Sequence, residues 1–95
     1  MKLKLDFIKR EIAGEFFLVP VGEAAKQYSG LFAMTEVAAF IWDKLPEAAD
    51  DAAVVDMVLA EYSDAQTPAE QAADRKEAEA DVAEFLGVLR KMEIL

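Results

Sequence analysis

The stretch "GLFAMTEVAAFIWDKL", Gly30 to Leu45, decides how this chain folds. "LFAM" is short, apolar and uncharged, and reads as a strand. It runs straight into Thr35, a good helix N-cap, and Glu36, an acid suited to a helix first turn. Val37, Phe40, Ile41 and Leu45 then recur at i, i+3, i+4 and i+8, which is one helical face. Trp42 sits beside that face and reads as core. Pro46 ends the helix, because the residue before a proline avoids the α region. The segment holds no histidine, cysteine or serine, and its few acids suit capping and solvation, so its role has to be sought in its backbone and its packing.

Upstream, Leu5 to Ile12 is a broken, strand-like pattern with charges between apolar residues. Ala13–Glu15 is a turn around Gly14, and "FFLVPV", Phe16 to Val21, is aromatic and β-branched, hence a second strand. Pro20 lacks an N–H and must lie near the strand end or face away from a neighbour. Gly22 to Gly30 reads as a loop, and Leu31 to Met34 is the third strand. Downstream, Asp50 or Asp51 caps a second helix with Val55, Val58, Leu59 and Tyr62 on one face. "TPAE", Thr67 to Glu70, is a capping box with proline at the first helical position. It opens a third helix reaching about Met92. The first half is alanine and charge, expected to lie loosely or project; the second half packs through Val82, Leu86 and Leu89. The expected architecture is α+β, three strands then three helices, in one domain over residues 1–95.

Composition narrows the function. The chain has no cysteine and no histidine, which removes thiolate chemistry and the commonest general base and metal ligand. Acid pairs such as Glu77 and Asp81 read as solvated surface, so no catalysis, cofactor or metal is expected. Residues 1–35 carry five basic and four acidic residues, whereas residues 36–95 carry five basic and fifteen acidic ones. Such a helical half repels phosphates, and no nucleic-acid role is expected. No apolar run of membrane-spanning length occurs, and the N-terminus lacks a signal-peptide core, so the expected location is cytoplasmic.

"FFLVP", "GLFAM", "TEVAAFIWDKL" and the ending "DVAEFLGVLRKMEIL" together resemble the PqqD family over about Leu5 to Leu95. That family belongs to the peptide-recognition elements of ribosomal-peptide biosynthesis. The resemblance implies a winged helix-turn-helix-like fold that binds the leader segment of a precursor peptide. The leader adds as an antiparallel strand beside the third strand, in the groove facing the third helix. The domain then presents it to a modifying enzyme, often a radical-SAM maturase. Carried onto this chain, the edge strand is Leu31, Phe32, Ala33 and Met34, and the facing helix runs from Asp81 to Leu89.

Strand alternation puts Phe32 and Met34 toward the core and Leu31 and Ala33 on the other face. A stripe of Ala78, Asp81, Phe85 and Val88 beside the core stripe is the expected groove wall, with plain core packing the equal alternative for Phe85 and Val88. The chain departs from the family in three places: Thr35 where asparagine is frequent, Glu93 where the last helix often ends in glycine, and a longer segment, Ser63–Ala80, between helices two and three. Two other function classes fit the fold: a winged-helix DNA-binding regulator, disfavoured by charge, and an assembly module forming a homodimer through its edge strand.

Overall fold

A computed structural model describes residues 1–95. Its elements are β1 (Phe7–Ile12), β2 (Glu15–Pro20), α1 (Ala24–Gln27), β3 (Phe32–Met34), α2 (Glu36–Lys44), a 3₁₀ turn (Leu45–Glu47), α3 (Asp51–Tyr62) and α4 (Pro68–Lys91). The expected three-stranded antiparallel sheet followed by three main helices is present, with strand order β1-β2-β3.

β1 and β2 are joined by the two-residue turn Ala13–Gly14, in which both residues have positive φ, 53° and 81°. That geometry matches the twist of the flanking strands. Pairing runs from Ile12↔Glu15 to Phe7↔Pro20, and β2 then pairs with β3 through Phe16↔Met34, Phe17↔Ala33 and Leu18↔Phe32. β1 starts at Phe7 rather than Leu5: the Asp6 carbonyl still accepts from the Val21 N–H at 3.0 Å, but Lys4 turns to the end of the chain. The Lys4 N–H donates to the Ile94 carbonyl at 2.6 Å, and Leu3 and Leu5 pack on the core.

The segment read as a loop contains the single-turn α1. Ala24 opens it and is fully buried, so packing rather than periodicity creates that turn. Each main helix carries a side-chain N-cap. Thr35 Oγ1 accepts from the Ala38 N–H, Asp50 Oδ1 from Ala53 and Thr67 Oγ1 from Glu70, at 3.1, 2.9 and 3.1 Å. These bonds satisfy N–H groups that a helix start would otherwise leave free. At Pro46 the α-helical ladder stops and the chain tightens into the 3₁₀ turn.

One cluster of buried apolar residues joins the layers: Phe7 and Leu18 from the sheet, Ile41, Trp42 and Leu45 from α2 and its turn, Val54, Val55 and Val58 from α3, and Ala78, Val82, Leu86 and Leu89 from α4. No polar side chain is buried. On α3 the buried stripe is shifted from the expected one. Val54, Val55 and Val58 face inward, and Tyr62 lies at the surface, edge-on to Phe40 at 5.4 Å.

The first half of α4 is exposed but tied to α3, with Ser63 Oγ donating to Asp74 and Arg75 paired with Asp56. The long inter-helix segment is therefore extra helix. At the far end Glu93 takes φ 61°, the left-handed geometry that glycine usually supplies, and the N–H groups of Ile94 and Leu95 both reach the Leu89 carbonyl.

Two glycine exchanges of opposite sense should both stabilise the fold. An added Cβ at Gly87 meets nothing within 4 Å. Gly87→Ala should therefore add about 0.5–1 kcal/mol from helix propensity. Glu93→Gly should add a similar amount, about 0.5–1 kcal/mol, by relieving the left-handed strain. Urea unfolding of the two variants checks both.

Candidate functional site

The register fixes which way each backbone group of β3 points. Residues flanking a two-residue hairpin turn exchange both hydrogen bonds, and bonded and non-bonded pairs then alternate. With Ile12↔Glu15 as the first bonded pair, Glu15, Phe17 and Val19 spend their backbone groups on β1, while Phe16 and Leu18 turn theirs to β3. Phe32 and Met34 therefore bond to β2, and the N–H and C=O of Ala33 face outward. Pro20 follows the parity of Leu18, at a point where β3 has not yet begun, so its missing N–H costs the sheet nothing.

β1 and β3 are the two sheet edges, and they differ in kind. β1 reads "FIKREI", with Lys9, Arg10 and Glu11 to discourage a pairing strand. β3 reads "FAM" and carries no charge. Beside it lies a groove of about 480 Å³. Its base is Leu18, Ala38, Ile41 and Leu89, all buried. One wall is Phe32, Ala33, Met34 and Thr35; the other is Asp81, Glu84, Phe85, Val88 and Met92 of α4, with Val37 at one end.

One set of contacts ties the two walls together, and a second ties α4 to α3. Tyr28, just after α1, meets Phe7 and Phe32 in a three-ring cluster with centroids 5.8 to 6.0 Å apart. Its hydroxyl donates to the Met92 carbonyl at 2.5 Å, so the loop before β3 is fastened to the end of α4. On the opposite side of α4, Arg90 forks onto Asp51 through two bonds, 3.0 and 2.6 Å. The acid sits in the first turn of α3 and the base in the last turn of α4, where both helix dipoles favour them. The Arg90 hydrogen bond holds the Asp51 carboxyl below its ordinary value, and the same bond raises Arg90.

The expected residues separate into two groups. Phe32, Ala33, Met34, Asp81, Phe85 and Val88 line the groove, with Ala33 at the strand edge. Phe32 and Met34 are half-buried against the core, whereas Leu31 and Ala33 are exposed, as alternation requires. Leu31 precedes β3, is 51% exposed and does not line the groove. Ala78 is a correction: it is 4% exposed and packed in the core rather than on the groove wall. The helical sweep explains this, because Ala78, Val82, Leu86 and Leu89 form one buried stripe at i, i+4, i+8 and i+11.

The groove-facing stripe is Asp81, Glu84/Phe85, Val88 and Met92, at i, i+3/i+4, i+7 and i+11. Glu84 and Met92 were thus accessible from helical spacing once the core stripe was set correctly. Val37, Ala38 and Ile41 enter the groove because of how α2 crosses the sheet, which no local spacing encodes.

Loss of the Asp51–Arg90 clamp should be pH-dependent. A carboxylate with a lowered folded pKa stabilises above its ordinary value of 3.8 and loses that contribution as the pH falls through the folded value. Asp51→Asn should cost no more than about 1 kcal/mol at neutral pH, given the exposure of the pair. The difference from the parent should shrink as the pH falls below 3.8 and vanish once the folded carboxyl is protonated, in unfolding measured across a pH series.

The family model described as Coenzyme PQQ synthesis protein D (PqqD) matches residues 15–95. No curated protein and no solved structure matches the chain. No helix is long and apolar enough to cross a membrane.

Proposed function

The chain belongs to the PqqD family, and from that premise we propose that it is a non-catalytic module that binds the leader segment of a ribosomally made precursor peptide. The leader adds as an antiparallel strand at the free edge of β3, its side chains enter the groove, and the complex is presented to a modifying enzyme such as a radical-SAM protein. Membership of the family supports an accessory role in biosynthesis of this kind. The observation that carries the reading is an uncharged edge strand with an outward-facing Ala33 beside an apolar groove. Unpaired backbone at an edge is a template for a further strand, and adjoining pockets select among side chains.

The magnitudes assign different roles to edge and groove. A three-residue strand offers few hydrogen bonds, each worth about 1 kcal/mol net. Two or three buried apolar side chains at about 1.5–3 kcal/mol each contribute more, less the cost of ordering the peptide. The edge therefore sets register and direction, and the groove sets affinity.

The same uncharged edge favours a second reading, a homodimer joined through β3. Sedimentation of the isolated protein separates the two: a monomer that takes up one leader supports the peptide reading, and a stable dimer closed to added peptide supports the other. A DNA-binding role is opposed by the fifteen acidic residues of the helical half.

Calorimetric titration with the leader of a precursor peptide encoded beside the gene should show saturable binding. Ala33→Pro removes an outward N–H and no bond to β2, so the fold should survive. Affinity should fall about tenfold, the equivalent of about 1.4 kcal/mol. Unchanged affinity in a folded Ala33→Pro variant would mean the peptide docks elsewhere.

A further inference from the structure

The groove is uniform in hydrophobicity along its base and asymmetric in charge along its length. Asp81 and Glu84 are the only charged residues that line it. Neither takes part in an ion pair, although Asp43, Asp51 and Asp56 each do. At Val37 and Asp81 the groove meets a second, smaller cleft of about 240 Å³ that also holds Asp64, Asp74 and Glu77. No lysine or arginine lines either space.

The acidic end has a defined place along the guest strand. β3 runs from Phe32 to Met34 and passes through Thr35 into α2, whose first turn carries Val37. The charged end of the groove is therefore the C-terminal end of β3. A guest strand antiparallel to β3 has its N-terminal end there. A second copy of this chain suits the site poorly, since "LFAM" is preceded by the uncharged "QYSG" and followed by Glu36.

Resting on the peptide-binding reading above, we propose that the guest of this groove carries a lysine or arginine on the N-terminal side of its apolar residues, selected by Asp81 and Glu84. The apolar residues alternate, i and i+2, so that they enter the groove from one face of the guest strand. The basic residue leaves the groove past Asp81, where unpaired carboxylates attract it and repel an acidic competitor.

The test is selection of a random linear peptide library on the full chain and on the double variant Asp81→Lys/Glu84→Lys. Both substitutions are on exposed helix positions, and circular dichroism of the variant checks its fold. Asp81→Asn/Glu84→Gln serves as a second, uncharged variant. On the parent chain, enriched peptides should carry alternating apolar residues preceded by Lys or Arg. On the charge-reversed variant the same position should become Asp or Glu, and on the uncharged one the preference should disappear. Exchanging the basic residue of one selected peptide for Glu should weaken binding to the parent about tenfold and strengthen it to the reversed variant.

Selected peptides that shift the β3 amide resonances but show no charge preference, or one on the C-terminal side, would overturn this inference and leave the peptide-binding reading standing. No enriched peptide, or peptides that shift only amides elsewhere, would overturn both.

Discussion

The Tyr28 hydroxyl on the Met92 carbonyl is the contact on which the shape of the groove depends. β3 is only three residues long and bonds to one neighbour, so the sheet alone holds it weakly. Tyr28 compensates from both ends of its side chain. Its ring closes the cluster with Phe7 and Phe32, which seats β3 on the core, and its hydroxyl fastens that assembly to the end of α4. The two walls are thus tied to each other within the folded chain. A preformed groove spares a bound peptide part of the ordering cost that otherwise erodes affinity.

The contrast between the sheet edges follows from the same economy of parts. A small antiparallel sheet has two exposed edges, and each invites pairing. β1 is protected by charge through "KRE". β3 is left bare, and the helix that follows it within two residues fixes its direction. The acidity of the helical half then acts at long range to disfavour phosphate-bearing partners, and at short range, through Asp81 and Glu84, to grade one end of the groove.

Much of this was legible in the residues. The Thr35 and Thr67 caps, the proline stop at Pro46 and the alternation of "LFAM" are local signals, and the structure follows them. The core stripe Val82, Leu86 and Leu89 was likewise readable from spacing. What escaped depended on partners distant in sequence. Ala24 is buried by the sheet and helices around it, so α1 looked like loop. Ala78 is different: it lies four residues before Val82 on the buried stripe, so the spacing already placed it in the core. Glu93 adopts a backbone geometry normally read from glycine, held there by the two N–H bonds onto Leu89.

The central claim is that Ala33 offers its backbone to a guest strand while its two neighbours are spent on β2. Amide hydrogen exchange at β3 measures this directly. In the free protein the Phe32 and Met34 amides should be protected and the Ala33 amide should exchange rapidly. Saturation with the leader peptide should slow Ala33 markedly and leave its neighbours almost unchanged. Rapid exchange at Ala33 in a peptide-saturated sample would contradict the account.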